Sequence, residues 1–422
     1  MIEIKDKSRC SGCTACQAVC PVKSISMTYD EEGFLYPFID KNLCIGCNKC
    51  ERVCPVRNIS YSPKSEIPNA FLVYDNDVQV RIASAAGGAF AGIAKSFIEK
   101  HNGVVFGAAY RKDFSVHHIA IDSVDHIPLL QKSKYVQSDL EDSFLAVRKY
   151  LENGRYVLFS GTTCQIYGLK SFLNTQYDKL FCIDVICYGV PSPMIFDRYL
   201  DFMRQKYGEI DRVVIRDKEI KRKRFQMGYG IYFKGGKKYF AKHSIDPMAR
   251  IFYGKIASRP ICYDCPYKTL WRLSDLTVGD CWYGSEFIPG YVDRYGITVT
   301  LCQSKKGMEL LSANEELTLF SVPTEQIAKV NGGMIYSSCQ KPENRDLFFS
   351  EVTSMNFDDL ANKYFPIQKE SLKSRIRRYM IDYGILPESI NHIVRQKNVN
   401  RMIRDRVIPA EANALAEIRK RG

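Results

Sequence analysis

The sequence predicts a multidomain chain of combined α+β and α/β character. A small cysteine-rich module comes first, then a larger mixed α/β domain, then a basic helical C-terminal tail. Three observations carry that reading. Two matched runs of four cysteines fall within the first 54 residues. From Ala70 onward, apolar runs alternate with helix-like stretches, the pattern of strands buried under helices. From Lys369 to the end, 13 Lys and Arg stand against 6 Asp and Glu. A length of 422 residues fits two to three domains, at about 150 residues each.

The cysteine runs are the most informative feature. Cys10, Cys13, Cys16 and Cys20 precede Pro21, and Cys44, Cys47, Cys50 and Cys54 precede Pro55, with identical spacing. That spacing is the bacterial-ferredoxin one for [4Fe–4S] clusters, in which the fourth cysteine of each run ligates the other cluster. Cys10, Cys13 and Cys16 with Cys54 are therefore assigned to one cluster, and Cys44, Cys47 and Cys50 with Cys20 to the second. Each proline ends the short helix carrying the fourth cysteine, because it has no N–H and restricts the residue before it. A disulfide or zinc module is the competing explanation, and two matching runs of this length argue against it. Residues 1–62 are thus expected to form a two-cluster, ferredoxin-like electron-transfer module with an internal repeat, and residues 60–68 a Ser- and Pro-containing linker.

Beyond the linker, 71–74 reads as a strand and 83–100 as a helix opened by Gly87-Gly88. Residues 103–110 form an apolar strand with a hairpin partner at 116–121. A helix is expected over 143–153 and a buried strand over 155–160, running into Gly161-Thr162-Thr163-Cys164-Gln165. A helix over 166–173 and a buried strand over 180–187 follow. Past residue 210 shorter strands and Gly turns suggest a mixed portion. The last fifty or so residues read as basic helices broken at Pro387 and Pro409. The expected domains are 1–62, 70–320 and 321–422.

A second constellation sits in loops of the larger domain. Cys164 lies at a strand-to-helix turn, where ligands collect in α/β folds. Cys187 terminates the next strand, and Cys262 and Cys265 form a third C-x₂-C. Four thiolates would hold a third cube. Isolated cysteines also serve as small buried hydrophobes, and a lone C-x₂-C also suits zinc or a redox dithiol. Ser84, Gly87 and Gly88 precede a helix whose N-terminal N–H groups favour phosphate, although G-x-G-x-x-G is absent. Lys132-Ser133-Lys134-Tyr135 offers cations and a ring suited to a flavin, or equally a surface turn. His117 and His118 have no ligand partner in sight and read as structural.

Composition narrows the class. Sixteen cysteines in a chain whose first eight residues are charged and lack an apolar stretch suggest thiols in a reducing cytoplasm rather than disulfides. No run of about 18 apolar residues is present, so no spanning helix is expected. An oxygen-sensitive protein of anaerobic metabolism fits. The net charge of +13 is unevenly placed, and the basic tail from Lys369 is suited to an acidic protein partner, an anionic membrane surface or nucleic acid, or equally to being a solvated helical appendage. Nucleic acid is disfavoured, since the basic residues are not interleaved with aromatics in a binding motif.

Seven segments, SAAGGAF, GVVFGAAY, SKYVQS, LFSGTTCQIYGL, VICYGVPSP, CYDCPY and SDLTVGDCW, occur in this order. They resemble the flavin-containing beta-subunit family of coenzyme F-420 hydrogenases and dehydrogenases, over about residues 70–310. The resemblance implies FAD in the α/β domain and one further [4Fe–4S] cluster on Cys164, Cys187, Cys262 and Cys265. It also implies flavin contacts at Ser84, Gly87, Gly88, Ser133, Lys134 and Tyr135. Thr163 replaces a customary proline, which is expected to loosen the turn. Tyr188 stands where His is frequent, and Cys281 where an aromatic is usual. The function expected is an iron–sulfur flavoprotein oxidoreductase relaying electrons between ferredoxin-type clusters and FAD. Its expected partners are a ferredoxin-like redox protein and a small hydride acceptor or donor. The alternative is a non-catalytic electron-transfer subunit or adaptor of a larger redox complex.

Overall fold

The computed structural model describes residues 1–58, 67–221, 224–281, 288 and 295–368, and the single positions 372, 376 and 380. The basic C-terminal helices expected beyond Pro387, most of the linker and Trp282 lie outside the described residues.

The N-terminal module follows its internal repeat. Helix α1 (Ala15–Ala18) and the hairpin β1 (Ile25–Tyr29)–β2 (Leu35–Ile39) precede α2 (Lys49–Arg52). Gly12 and Thr14 before α1, and Gly46 and Asn48 before α2, all take positive φ between 57° and 66°. Each cysteine loop thus winds through the left-handed region at the same two positions, which curls it tightly; glycine takes one of them because it lacks a Cβ.

The large domain opens with β3 (Asn69–Asp75), α3 (Val78–Ala83), α4 (Ala89–His101), β4 (Val104–Tyr110) and β5 (Val116–Ile121). Then come α5 (Ile127–Leu130), α6 (Ser143–Glu152), β6 (Val157–Thr162), α7 (Thr163–Leu173), β7 (Leu180–Val185) and α8 (Pro193–Tyr207). A long antiparallel arm follows, β8 (Ile210–Lys221), β9 (Arg224–Phe233) and β10 (Lys238–Lys242). The chain continues through α9 (Pro247–Gly254), β11 (Leu276–Asp280), β12 (Thr298–Cys302), α10 (Lys305–Ser312) and β13 (Leu317–Val322). It closes with α11 (Thr324–Ile335), α12 (Arg345–Glu351) and α13 (Phe357–Tyr364).

Eight strands form one mixed sheet in the order β13-β3-β12-β11-β7-β6-β4-β5. The four inner strands β4, β6, β7 and β11 run parallel, and antiparallel strands flank them on both sides. Alternation decides which face each residue serves. Val104, Phe106, Val157 and Phe159 pack with Phe144 of α6 and Ile166, Leu169 and Phe172 of α7. Val105, Leu158, Phe181 and Ile183 turn the other way, against Ile93, Phe97 and Ile98 of α4. The parallel strands therefore point their C-terminal ends at one rim, where functional groups gather in such sheets.

Three expectations need correction. The helix expected over 83–100 starts only at Ala89: residue 83 ends the preceding helix α3, Ser84 is extended, and Gly88 at φ +90° caps α4. The strands past residue 210 are not all short: β8 has 12 residues and β9 has 10, whereas β10 to β13 have 5 or 6. Cys187 lies two residues past β7 rather than ending it. The α12–α13 pair, beyond residue 320, shares a core with α8, α9 and the β8–β9 arm through Phe348, Val352, Phe357 and Leu360.

Candidate redox site

The eight module cysteines sort into two sets. Cys10, Cys13, Cys16 and Cys54 line one cavity, and Cys20, Cys44, Cys47 and Cys50 line another. These are the crossed sets that the spacing predicts, with each fourth cysteine delivered from the opposite loop. Four thiols line each cavity, the donor number that a cubic cluster takes. Such a donor set fits a cluster that stands between its ligands. Buried Ile2 and Ile25 close the space between the two sets.

Cys164, Cys187, Cys262 and Cys265 also come together. Cys164 lies in the first turn of α7 at the end of β6, Cys187 follows β7, Cys262 sits within the short 3-10 turn Pro260–Asp264, and Cys265 ends that turn. Burial pushes the Cys164 thiol well up, and the charges of Cys187, Cys265 and Cys262 push it further. Burial likewise pushes Cys262 up to about 12. Two lysines face these sulfurs. Lys255 donates to the Tyr188 carbonyl over the Tyr188 ring, and Lys268 donates to the Cys187 and Met334 carbonyls. Neither has a carboxylate partner among the described residues. Burial pushes the Lys255 ammonium down to about 7 and lowers Lys268 too, while the thiols' charges pull both up. Two buried ammoniums without a counter-ion beside four thiols suit an anionic, thiolate-bound cluster.

Thr163 ties this turn down instead of loosening it. Its hydroxyl donates to Asp184 Oδ2 at 2.7 Å and accepts from Arg272, whose guanidinium pairs with Asp184 at 3.0 Å. Asp184 is fully buried, so the network is rigid by necessity. Gln165 Oε1 accepts from the Thr162 N–H at 2.8 Å and caps α7. Cys281 sits apart from the other thiols, among Leu270, Val299 and Ile327, where it fills core. Cys182, at 0% exposure on β7, does the same.

A cavity of about 360 Å³ opens at the same rim. Cys164 and Cys187 line it. Ser84, Gly88, Ser133, Lys134 and Tyr135 also line it, as does Ser11 of the module. Gly87 is not in the lining. It is glycine for packing, since a Cβ there would lie 2.5 Å from the Val73 carbonyl oxygen. The Tyr135 ring stacks on Phe252 at 4.1 Å. Lys134 donates to the carbonyls of Leu129 and Gln131, and burial pushes its ammonium down to about 7.

Several lining residues escape a reading of the sequence. Arg216, at φ +62°, pairs with Asp280 at 2.8 Å across the cavity. His118 does more than fill core. It is 4% exposed and lines the cavity, with Nε2 3.0 Å from the Ser160 carbonyl and Nδ1 unpartnered. A carbonyl only accepts, so Nε2 carries the proton and Nδ1 keeps its lone pair. His117 instead meets Glu141 at 3.3 Å on the surface.

The module docks so that its first cysteine set abuts the second constellation. A Cβ on Gly168 of α7 would lie 2.7 Å from Cys13 Cβ, so glycine alone lets the two approach. Gly168 is one turn from Cys164, about 6 Å along the helix. Tyr267, 1% exposed, feels the charges of Cys13, Cys164 and Cys54 together. Arg259, fully buried, donates to the Cys10 and Leu35 carbonyls and to Gln137, and its Nη2 lies 3.8 Å from Cys10 Sγ. Its carbonyl accepts from the Cys262 N–H. No residue spacing in the sequence announces these contacts.

Cysteine sets of cubic-cluster spacing in a dicluster fold, docked on a mixed sheet with thiols at its rim, define an iron–sulfur redox protein. Residues 154–325 match the family model for the C terminus of the coenzyme F420 hydrogenase/dehydrogenase beta subunit, and residues 9–68 match the 4Fe-4S dicluster domain. The SAAGGAF, GVVFGAAY and SKYVQS segments precede the first match. Among solved structures, a chain of the F420-reducing [NiFe] hydrogenase complex from Methanosarcina barkeri is similar at 16% identity. The similarity covers 72% of this chain and 94% of that one, with a TM-score of 0.43. No curated protein matches. No helix among the described residues is long and apolar enough to cross a membrane.

Proposed function

We propose that the chain is an iron–sulfur flavoprotein oxidoreductase. In this reading the eight module cysteines would hold two clusters suited to single-electron exchange with a redox partner, Cys164, Cys187, Cys262 and Cys265 would hold a third, and the rim cavity would hold FAD. The observation that carries the reading is that cavity: one space lined by Cys164 and Cys187 and by Ser84, Lys134 and Tyr135. FAD supplies the exchange between single electrons and a hydride pair.

The chain's own residues do the rest. Gly168 admits Cys13 against α7, which keeps the first and third cysteine sets within one helical turn. Arg259 sets a positive charge beside Cys10 and favours the more reduced, more negative state there. Lys255 and Lys268 do the same beside Cys187. Tyr135 offers a stacked ring, Lys134 a positive charge, and His118 Nδ1 an acceptor for an N–H of the bound group. The substrate is a small hydride acceptor or donor reaching the open part of the cavity.

Iron and flavin content of the anaerobically purified protein tests this. About twelve irons (three cubes of four) and one FAD per chain are expected. About eight irons without flavin would leave a two-cluster electron carrier and overturn the proposal. Cys262→Ala and Cys265→Ala should remove about four irons while leaving the module's eight.

A further inference from the structure

The two cysteine sets of the module differ in what covers them. Cys10, Cys13 and Cys54 face Arg259, Gly168 and Tyr267 of the large domain. The Cys44–Cys47 loop faces outward. Its flanking Leu43 is 54% exposed and Ile45 64%, while a Cβ added to Gly46 would meet nothing within 4 Å. Cys44 and Cys47 are themselves partly open.

The charge around this loop is predominantly positive. Lys23, Lys41, Lys49 and Arg52 are all exposed, and none has an ion-pair partner among the described residues. The neighbouring acids are engaged. Asp40 accepts from the Asn42 N–H, and Glu51 pairs with Arg57 at 3.0 Å and with the N-terminal ammonium at 3.5 Å. An apolar tip ringed by unpaired cations therefore surrounds the more accessible set of thiols.

We propose that this collar is the docking surface for a small acidic protein that carries single electrons, and that electrons pass there to or from the Cys20, Cys44, Cys47 and Cys50 set. The proposal rests on the reading that these cysteines hold a cluster. Charge complementarity selects the partner: cations ringing an apolar centre fit a carrier with acidic residues around its own exposed centre. A second copy is disfavoured, since two such collars repel. The step moves one electron and no atoms. The carrier is oxidised by one electron as the cluster is reduced by one, and reverse flow is the same step run backwards.

The test uses full-length protein purified anaerobically with its clusters, and a reduced acidic [2Fe–2S] ferredoxin as probe. Cluster reduction is followed by stopped-flow absorbance. The second-order rate is expected to fall steeply between low and high salt. Lys23→Glu, Lys41→Glu and Lys49→Glu combined should slow it about tenfold or more at low salt. Lys234→Glu with Lys237→Glu, on the distant β9–β10 turn, should not. Iron content and the reduced EPR spectrum confirm that each variant keeps its clusters. A rate indifferent to salt and to collar reversal overturns the proposal, as does equal slowing by the distant pair. Co-flotation with anionic phospholipid vesicles that collar reversal abolishes, at an unchanged ferredoxin rate, reassigns the collar to a membrane. Failure of the underlying reading is distinct: such a protein lacks the iron and takes no electrons from reduced methyl viologen either.

Discussion

On sequence alone His118 reads as an inert strand residue, and its surroundings give it a titration instead. Burial lowers its imidazole to about 4 from an ordinary 6.5. The folded protein keeps it neutral between those values, whereas an unfolded chain takes up a proton there. Its contribution to stability is therefore complete above pH 6.5 and is lost as pH falls toward 4. The full loss is on the order of 3 kcal/mol. In urea unfolding followed by tryptophan fluorescence, wild type should lose more stability between pH 7 and pH 5 than His118→Gln does. Equal losses would mean that His118 is solvated in the folded state. Nothing in the alternation of β5 distinguishes His118 from its half-buried neighbour His117. Only the side of the strand that meets Ser160 does, and that is a tertiary fact.

At the scale of elements, α7 has three duties. Its first turn holds Cys164, its second admits Cys13 at Gly168, and its third donates from Ser171 Oγ to the Val53 carbonyl at 2.6 Å. The apolar strands leading to this helix are legible in sequence, because β6 and β7 bury both faces and read as continuous hydrophobic runs. The start of α4 is less so: helix propensity runs on through Ala85 and Ala86, yet Ser84 is extended after α3 and the left-handed Gly88 caps α4. Gly168 is illegible for a different reason. In sequence it is a glycine inside a helix, weakly unfavourable, and its cause lies on another domain. Gly168→Ala should therefore cost about 1–3 kcal/mol by overpacking against Cys13, despite Ala's better helix propensity. The check is a denaturant midpoint. A stabilised variant would show that α7 and the cysteine loop are not in contact.

On the scale of the whole molecule, the module is clamped at several separated points. Arg345, 3% exposed, forms a two-pronged pair with Glu32 at 2.6 and 2.5 Å, and Ser192 donates to the Glu32 carbonyl. Gln137 donates to the Ser11 carbonyl at 3.2 Å. Removing one partner of so buried a pair should cost about 3 kcal/mol. Glu32→Gln is expected to speed proteolytic release of the module, seen as a new fragment of about sixty residues by mass. An unchanged cleavage rate would mean that the other contacts hold the module alone. The cysteine sets can be assigned from spacing because their partners are close in sequence. The clamp cannot, because Glu32 and Arg345 are 313 positions apart.

The single helical turn between Cys164 and Gly168 has a kinetic corollary. A carrier module on a tether must swing between donor and acceptor, and its turnover then slows as the solvent thickens. Here the module is bolted against α7, so under the proposed function electrons would cross a fixed gap. Internal transfer in this protein should be as fast in concentrated glycerol as in buffer.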